Sequence, residues 1–336
     1  MIYKRRLPIC VISIVLALIT TLVGCKSSNL NEYLDDPPTP PVKQDEFAVY
    51  YLDVGQGDCI FIDFPDGKNM LIDTGENNDV NQNYLQEFFA EKEISKIDYF
   101  LLTHSDSDHI GNALYFLDNF DIGKMFLPYF NSALIKLFPD FKLVLEKANQ
   151  KEIDYSFSDF SHSIVGENYA LAFLSPSPKD MPSGEYSDLN SSLSPTDGQI
   201  NNVSPIIYFE CFGIRFVFTG DAQSSSERVV VDRYKNKLYD VFHKDKVSVN
   251  LESVDYLKLG HHGSKDASCE EFLRLLQPKN VIISVGAKNY YGHPSTEVFI
   301  RLDQLDFEYG LYRTDTNGTI CIKYLDGERK TQVEVQ

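Results

Sequence analysis

Short runs of apolar residues recur along most of the chain and alternate with polar, turn-rich or amphipathic segments. The short runs predict strands buried on both faces, whereas the longer amphipathic stretches predict helices. We place strands at residues 47–52, 59–64, 70–73, 97–102, 169–174, 205–211, 214–218, 254–259, 280–285, 310–313 and 319–324. We place helices at residues 83–92, 108–118, 223–236, 268–276 and 296–305.

The order of these elements predicts the fold class. Strands and helices form two mixed halves, and loops with polar residues follow strands in both halves. Two such halves favour a pair of sheets packed face to face with helices on the outside. We therefore expect an α/β (α+β) fold of this layered type. A long polar loop at residues 175–198 is expected to be either disordered or functional, and in the second case to overhang a binding site.

The beginning of the chain has the composition of a targeting segment. Basic residues precede an apolar stretch at residues 7–23, which ends at Cys25 in a sequence resembling a bacterial lipobox. An uncleaved transmembrane anchor is the alternative, and both predict tethering to the outer, extracytoplasmic face of a membrane. We expect a signal peptide at 1–25, a proline-rich linker at 26–46 and a single folded domain at 47–336.

The chain is acidic, with a formal net charge of −18 at pH 7. Removal of the predicted signal peptide would make it more negative, because that segment carries basic residues and no acidic ones. An acidic body is a poor general binder of nucleic acid, since neutralising phosphates needs clustered lysine and arginine. A metal-centred site could still accept one phosphodiester, because the ions supply local positive charge. We expect a monomer.

The cysteines of the predicted domain are widely spaced within apolar runs. We interpret them as small buried residues with free thiols. A disulfide is the alternative, because an exported protein meets an oxidising environment. The residues concerned are Cys59, Cys211, Cys269 and Cys321.

The most informative motif follows the predicted strand at 97–102. It contains His104, Asp106, Asp108 and His109, which are residue types that bind divalent metals. A helix cap is the structural alternative, in which Asp108 or Ser107 begins the next helix.

Two further strand-to-loop junctions end in candidate ligands. Asp221 follows the predicted strand at 214–218, and His261 and His262 follow the strand at 254–259. Turn chemistry alone does not readily give three such junctions. The pattern predicts a site for two divalent metal ions, Zn²⁺ or Mn²⁺, in a hydrolase.

These motifs resemble those of metallo-β-lactamase-fold hydrolases, and more narrowly those of the extracytoplasmic β-lactamase-like domain of the competence protein ComEC. The resemblance runs from about Val49 to Tyr324. It implies a four-layer αββα sandwich with a dinuclear metal site that hydrolyses a phosphodiester, including DNA. The motifs that carry it are residues 52–58, 71–75, 104–109, 219–221, 257–264, 284–286 and 291–294.

The chain departs from the wider superfamily in two of the residues that would hold one of the metals. The ComEC-like branch shares both of these departures. Asp106 stands where the superfamily has histidine, and residues 201–204 stand where it supplies its third histidine ligand. One position is therefore rich in oxygen and poor in ligands, which favours Mn²⁺ or weakly held Zn²⁺.

We assign His104 and Asp106 to one metal, and Asp108, His109 and either His261 or His262 to the other. A bridging carboxylate would leave a water between the ions acidic enough to act as hydroxide near neutral pH. That hydroxide would attack phosphorus. The bridging residue is Asp221.

The sequence leaves several roles open. Of His261 and His262, one is expected to bind metal and the other to orient a ligand or donate a proton. His293 is a candidate general acid or extra ligand, or else an ordinary loop histidine. Lys258 is a candidate for holding a substrate phosphate, or else an exposed strand lysine. The candidate catalytic residues are Asp108, His262, His293 and Lys258.

The sequence thus favours a lipid-anchored, metal-dependent phosphodiesterase or nuclease. Its substrate would be DNA or a cell-envelope polymer, and the strong negative charge favours the second slightly. The main alternative is a catalytically silent module of the same fold that binds DNA or a surface polymer. A β-lactam hydrolase is disfavoured by the oxygen-rich metal position.

Overall fold

The computed structural model describes residues 46–243, 246–325 and 330–336. The predicted signal peptide, lipobox and nearly all of the predicted linker lie outside these residues, so their assignment stays a prediction. Within the described ranges, no helix combines the length and apolar character needed to cross a bilayer.

In the described part of the chain, two mixed sheets contain all the strands. The first sheet consists of β1 (Ala48–Tyr51), β2 (Ile60–Asp63), β3 (Asn69–Ile72), β4 (Lys96–Leu101), β5 (Asp121–Leu127), β6 (Asp154–Phe157), β14 (Ile320–Leu325) and β15 (Lys330–Val335). Its spatial order is β15-β14-β1-β2-β3-β4-β5-β6.

The second sheet has the order β13-β12-β11-β10-β9-β8-β7. Its strands are β7 (Ser163–Gly166), β8 (Tyr169–Phe173), β9 (Ile207–Cys211), β10 (Ile214–Phe218), β11 (Tyr256–Lys258), β12 (Asn280–Ile283) and β13 (Gly310–Arg313).

The helices lie between these strands in the sequence. They are α1 (Asp79–Glu91), α2 (Ser107–Ile110), α3 (Ala113–Asn119), α4 (Pro139–Gln150), α5 (Glu185–Asn190), α6 (Asp197–Asn201), α7 (Ser224–Lys235), α8 (Leu238–Phe242), α9 (Glu270–Leu276), α10 (Thr296–Asp303) and α11 (Thr314–Asn317). Short 3₁₀ turns occur at Leu134–Leu137 and Gly260–Gly263.

Alternate residues of the central strands face different hydrophobic clusters. Along β1, Tyr50 joins a cluster with the helices of the first half, whereas Val49 and Tyr51 join a cluster shared with the second sheet. Along β10, Phe216 joins the shared cluster and Val217 a third cluster with the helices of the second half. Because both faces are buried, the strands are apolar throughout. The predicted αββα sandwich is confirmed.

The parallel parts of both sheets determine where the chemistry lies. β3, β4, β5 and β6 run parallel in one sheet, and β10, β11, β12 and β13 run parallel in the other. The carboxyl ends of parallel neighbours share one edge of a sheet. The loops after β4, β10 and β11 lie at these edges and also meet across the two sheets, since His109 Nε2 lies 3.2 Å from Asp221 Oδ1. They carry the candidate metal ligands apart from His293.

The polar segment 175–198 is held by a buried polar network and contains α5. The Glu185 carboxylate accepts hydrogen bonds from the backbone N–H and the hydroxyl of Ser177, at 3.0 and 2.6 Å. Arg233, on α7, donates to the same carboxylate and to the Ser177 hydroxyl. The guanidinium also lies over the Phe160 ring. The network fixes the start of the segment that leads to α6 beside the site.

The described cysteines are all buried and free, as the apolar pattern around them predicted. Burial also raises the pKa of their thiols, so they are poor nucleophiles.

Candidate metal centre

The loop after β4 delivers four candidate ligands in a short space. Helix α2 begins at Ser107 with Asp106 in the N-cap position, and within the described residues the Asp106 side chain makes no capping hydrogen bond. The capping alternative, which used Asp108 or Ser107, is therefore not what the structure has. The Asp106 and Asp108 carboxylates therefore stay available to bind a metal ion.

Gly57 allows the first loop of the chain to approach Asp108 closely. The Gly57 φ is +127°, and a Cβ atom there would lie 2.0 Å from the Asp108 carbonyl oxygen. The next residue, Asp58, donates its backbone N–H to that same oxygen at 3.3 Å. Only glycine fits this contact without moving the ligand loop.

His109 is oriented by a buried carboxylate. Its Nδ1 lies 2.7 Å from Asp73 Oδ2, and both side chains are fully buried. A carboxylate only accepts, so Nδ1 carries the proton and the Nε2 lone pair points into the site. Asp73 also accepts from the backbone and hydroxyl of Thr103, at 2.8 and 2.7 Å.

His104 and His262 present the same nitrogen as His109. The Thr103 hydroxyl donates to Asp73, so at 3.1 Å it accepts from His104 Nδ1. His262 Nδ1 donates to the backbone carbonyl of Ser284 at 2.8 Å. In both rings the Nε2 lone pair is left for a ligand, which is the arrangement typical of metal-binding histidines.

Asp221 lies between two groups of ligands. Its Oδ1 is 3.2 Å from His109 Nε2 and 3.4 Å from His262 Nε2. Its Oδ2 is 3.9 Å from His104 Nε2 and 3.7 Å from His261 Nε2. The two oxygens therefore face different positions.

Asp106 and Asp108 complete the two groups. Asp106 Oδ2 lies 3.6 Å from His104 Nε2, and Asp108 Oδ2 lies 3.4 Å from His262 Nε2. Among the described residues, three sets of ligand atoms are tight enough to hold an ion: that of His104, His109 and Asp221, that of Asp108, His109 and His262, and that of Asp58, Asp73 and His109. In the third set, Asp73 is the carboxylate that already accepts from His109 Nδ1.

The chemistry of these donors fits divalent metal ions. Within the described residues, the buried His104 Nε2 and Asp221 Oδ1 atoms have no hydrogen-bond partner. His109 Nε2 and His262 Nε2 lie 3.3 Å apart, although each neutral ring carries its proton on Nδ1 and therefore has a lone pair on Nε2. Lone pairs at such a distance repel unless a cation or a proton lies between them.

The electrostatics of the cluster likewise demand positive charge. Burial disfavours a charged imidazole, but Asp221 and Asp108 outweigh it and raise the pKa of His262 to about 9. The pKa of His109 is also raised, because Asp221 and Asp73 outweigh burial. Burial opposes ionisation of Asp221, yet His262 and His109 keep the pKa of its carboxyl well below the usual range. Metal ions would replace the protons on these histidines.

Lys258 lies beneath the site, fully buried at the end of β11. Its Nζ is 2.5 Å from Asp58 Oδ2, donates to the Gly220 carbonyl at 2.8 Å and lies 3.9 Å from Asp221 Oδ1. It is therefore not an exposed strand lysine. Its charge faces the protein, where it pairs with Asp58, rather than the open cavity where a substrate phosphate would bind.

His261 and His262 occupy an unusual backbone turn. Their φ/ψ values are 47°/51° and 54°/26°, which lie in the left-handed region. This backbone conformation costs about 1–2 kcal/mol for each residue other than glycine. The His261 N–H donates to the Gly220 carbonyl at 3.1 Å, which joins this turn to the loop of Asp221. The strained turn directs two consecutive rings toward the site.

The two rings differ in position. His262 is buried, whereas the His261 side chain is 23 % exposed. Burial lowers the pKa of His261, so the ring is neutral near pH 7. Asn201, from the segment that replaces the superfamily's third ligand, contacts His261 Nδ1 together with Gln223.

A cavity of about 500 Å³ opens above the candidate ligands. His293 lies in its wall, with its ring centroid 5.2 Å from that of His261. Burial and the neighbouring His261 and His262 lower the pKa of His293 to about 4, so this ring is neutral near pH 7 as well. Other cavity residues outside the two ligand groups include Gln56, Asp197, Lys265, Asp266 and Tyr291.

Sequence reasoning missed the groups that orient the ligands. Thr103 and Gln223 lie outside the recognised motifs, and Ser284 lies in one without a predicted role; their roles come from contacts that the spacing does not reveal. Asp73 belongs to the motif at 71–75 and follows β3, which pairs in parallel with β4. The loops after these two strands are neighbours, and this was the available signal that Asp73 contacts His109.

Comparison with known proteins supports the assignment of the fold. The family model described as "Metallo-beta-lactamase superfamily" matches residues 52–164. ComE operon protein 3 of Bacillus subtilis is 30 % identical over 300 residues, which covers 84 % of this chain and 34 % of that protein. Recombination protein 2 of Haemophilus influenzae is 23 % identical over 288 residues, or 85 % of this chain and 30 % of that protein.

The chain thus spans about a third of the length of the curated relatives it matches. Among solved structures, the metallo-beta-lactamase fold protein YhfI from Bacillus subtilis covers 81 % of this chain and 98 % of its own, at 11 % identity and a TM-score of 0.46. Proteins of the metallo-β-lactamase superfamily are generally metal-dependent hydrolases. This chain has the metallo-β-lactamase fold and is similar, over most of its described length, to bacterial competence proteins.

Proposed function

We propose that the protein is a metal-dependent phosphodiesterase, anchored by lipid at the outer face of a membrane. The observation that carries the proposal is the convergence of the His104, His109 and His262 Nε2 atoms with the carboxylates of Asp108 and Asp221. Each of these nitrogens is held in the ligand form by a partner on Nδ1. A site that only binds a polymer has no need for this arrangement.

Two ions would be held on the two sides of Asp221. His104, Asp106 and Asp221 Oδ2 would hold one, and Asp108, His262 and Asp221 Oδ1 the other, with His109 close to both. Such ions would supply Lewis acidity, which lowers the pKa of water and neutralises charge that develops on phosphate. Hydrolysis would add water to phosphorus, and the ester oxygen would leave with its bonding electrons and take up a proton.

The cavity favours a short substrate segment over a long polyanion. Its volume of about 500 Å³ suits one phosphodiester with its flanking groups. Of the side chains outside the ligand groups, Asp197 and Asp266 are acidic and only Lys265, among the described lining residues, is basic. A phosphodiester in a cell-envelope polymer, or one at the end of a DNA strand, would meet these limits.

Hydrolysis of bis(p-nitrophenyl) phosphate tests the proposal. The purified full-length protein, kept in detergent, would be stripped of metal and titrated with Mn²⁺ and Zn²⁺. Activity should return with metal and fall by at least about 100-fold in Asp108→Asn and Asp221→Asn. Asp118→Asn, which removes an exposed carboxylate on α3 paired with Lys147, is the control and should keep full activity.

Absence of activity in folded, metal-loaded protein would reject the phosphodiesterase. Binding of DNA or envelope polymer that survives both metal removal and the two substitutions would then favour the silent binding module. Rapid hydrolysis of a β-lactam such as nitrocefin, without phosphodiesterase activity, would indicate a β-lactam hydrolase instead.

A further inference from the structure

The neighbours His261 and His262 have hydrogen-bond partners of opposite kinds. The Nδ1 of His262 faces the carbonyl oxygen of Ser284, which can only accept. The Nδ1 of His261 instead faces the amide nitrogens of Asn201 and Gln223, at 3.4 and 3.2 Å. Amide nitrogens only donate, so with this orientation of the two amides the rings carry their protons on different atoms.

The partners fix the tautomer of each neutral ring. His262 carries its proton on Nδ1 and offers the Nε2 lone pair to an ion. His261 accepts at Nδ1 and therefore carries its proton on Nε2. An Nε2–H group is a hydrogen-bond donor and cannot bind a metal through that nitrogen.

The distances support the same division. Across the part of the chain that the structure describes, His262 belongs to a tight group of metal-ligand atoms and His261 to none. The His261 Nε2 lies 3.7 Å from Asp221 Oδ2, at the wall of the cavity, and its side chain is partly exposed. Its proton thus points to the boundary between the ligand cluster and the space for substrate.

We infer that His261 binds no metal and donates a hydrogen bond from Nε2–H to a phosphoryl oxygen of the substrate, with Asn201 and Gln223 as the residues that position it. The inference rests on the proposed phosphodiesterase function. A neutral donor of this kind stabilises negative charge as it builds up on phosphate and needs no proton transfer. The segment that lacks the superfamily's third histidine thereby gains a role, because Asn201 sets the tautomer of His261.

Metal content separates a donor from a ligand. His261→Ala and His262→Ala would be loaded with Mn²⁺, and the bound metal measured per protein by inductively coupled plasma mass spectrometry. His261→Ala should bind as much metal as the unmodified protein, while His262→Ala should lose at least one ion. Equal loss in both variants would overturn the inference.

Turnover then tests the hydrogen bond. Loss of one preorganised donor lowers kcat by about 100- to 1,000-fold, so His261→Ala should show such a fall on bis(p-nitrophenyl) phosphate. His261→Gln places an amide N–H near the position of Nε2–H and should recover part of kcat. No recovery in His261→Gln, or unchanged kcat in His261→Ala, would argue against a donor.

The tautomer can be read without any activity. Long-range ¹H–¹⁵N correlation spectra of the metal-free protein, with His261 assigned through His261→Gln, should show its proton on Nε2. Asn201→Asp and Gln223→Glu together replace donors by acceptors and should shift the proton to Nδ1. A proton on Nδ1 in the unmodified protein would refute the inference, whether or not the protein proves to be a phosphodiesterase.

Discussion

Substitution of Asp73 by asparagine should weaken metal binding although Asp73 touches neither metal position. The Asp73 carboxylate accepts from His109 Nδ1 and from the backbone and hydroxyl of Thr103. Asparagine has nearly the same shape and tolerates the positive φ of 57° at this residue. The change therefore replaces one acceptor oxygen by a donating amide and leaves packing intact.

The magnitude follows from the hydrogen bond that is lost. A hydrogen bond to a charged group contributes about 1.5–3 kcal/mol. Every 1.4 kcal/mol is a factor of ten in binding, so we expect Mn²⁺ affinity to fall by about 10- to 100-fold. This agrees with the usual effect of losing a residue that orients a metal-binding histidine.

Isothermal titration with Mn²⁺ measures the effect, and Asp98→Asn is the matched control. Asp98 lies on β4, the strand that leads to His104 and His109, where it pairs with Lys96 and accepts from the Asn69 backbone. This control should bind Mn²⁺ like the unmodified protein. Unchanged affinity in Asp73→Asn, or an equal loss in both variants, would refute the argument that Asp73 sets the tautomer of His109.

Three further changes test the buried parts of the site. Lys258→Met leaves Asp58 buried without its cation, so urea titration should show the free energy of unfolding lowered by about 3–5 kcal/mol. Adding Asp58→Asn removes the unpaired charge and should restore part of that loss. No restoration in the double variant would argue against a stabilising Lys258–Asp58 ion pair. Because the folded-state pKa of His262, about 9, exceeds its unfolded value, its contribution to stability is complete below about pH 6.5 and lost as pH rises through 9. His262 should account for roughly 3 kcal/mol of the stability that chelator-treated protein loses across that window. His262→Asn should lose less by about that amount, the remainder coming from His109, whose pKa is also raised, and an equal loss in the two proteins would refute the assignment. Gly57→Ala should abolish Mn²⁺ binding, because the new Cβ would displace the Asp108 loop. Gly67→Ala is the control and should bind Mn²⁺ normally, because its new Cβ meets open space among the described residues. Equal binding by the two variants would contradict the close contact between Gly57 and the Asp108 carbonyl.

The sequence could predict the candidate ligands because they follow apolar strands. Asp221 comes shortly after β10 and His104 shortly after β4, so a strand pattern places both at the ends of strands. The layered fold could be predicted for a similar reason, since the order of strands and helices constrains how sheets pack.

Other features could not be predicted because they depend on contacts between distant segments. Lys258 looks like an exposed or substrate-facing cation until the fold brings Asp58 to it. The strands β5, β6, β7 and β15 have mixed polarity and were missed, and the expected helix at 108–118 is interrupted between α2 and α3. The tautomers of the histidines depend on single carbonyl or amide partners that no spacing reveals.

The candidate ligands come from both sheets, and this has a consequence for how the protein would resist unfolding. His104, Asp106, Asp108 and His109 follow a strand of the first sheet, whereas Asp221 and His262 follow strands of the second. Bound ions would therefore cross-link the two halves of the sandwich across more than a hundred residues of chain. Separation of the halves would require metal release, so scarcity of metal would lower the free-energy cost of that separation and make the aromatic interior between the sheets easier for proteases to reach.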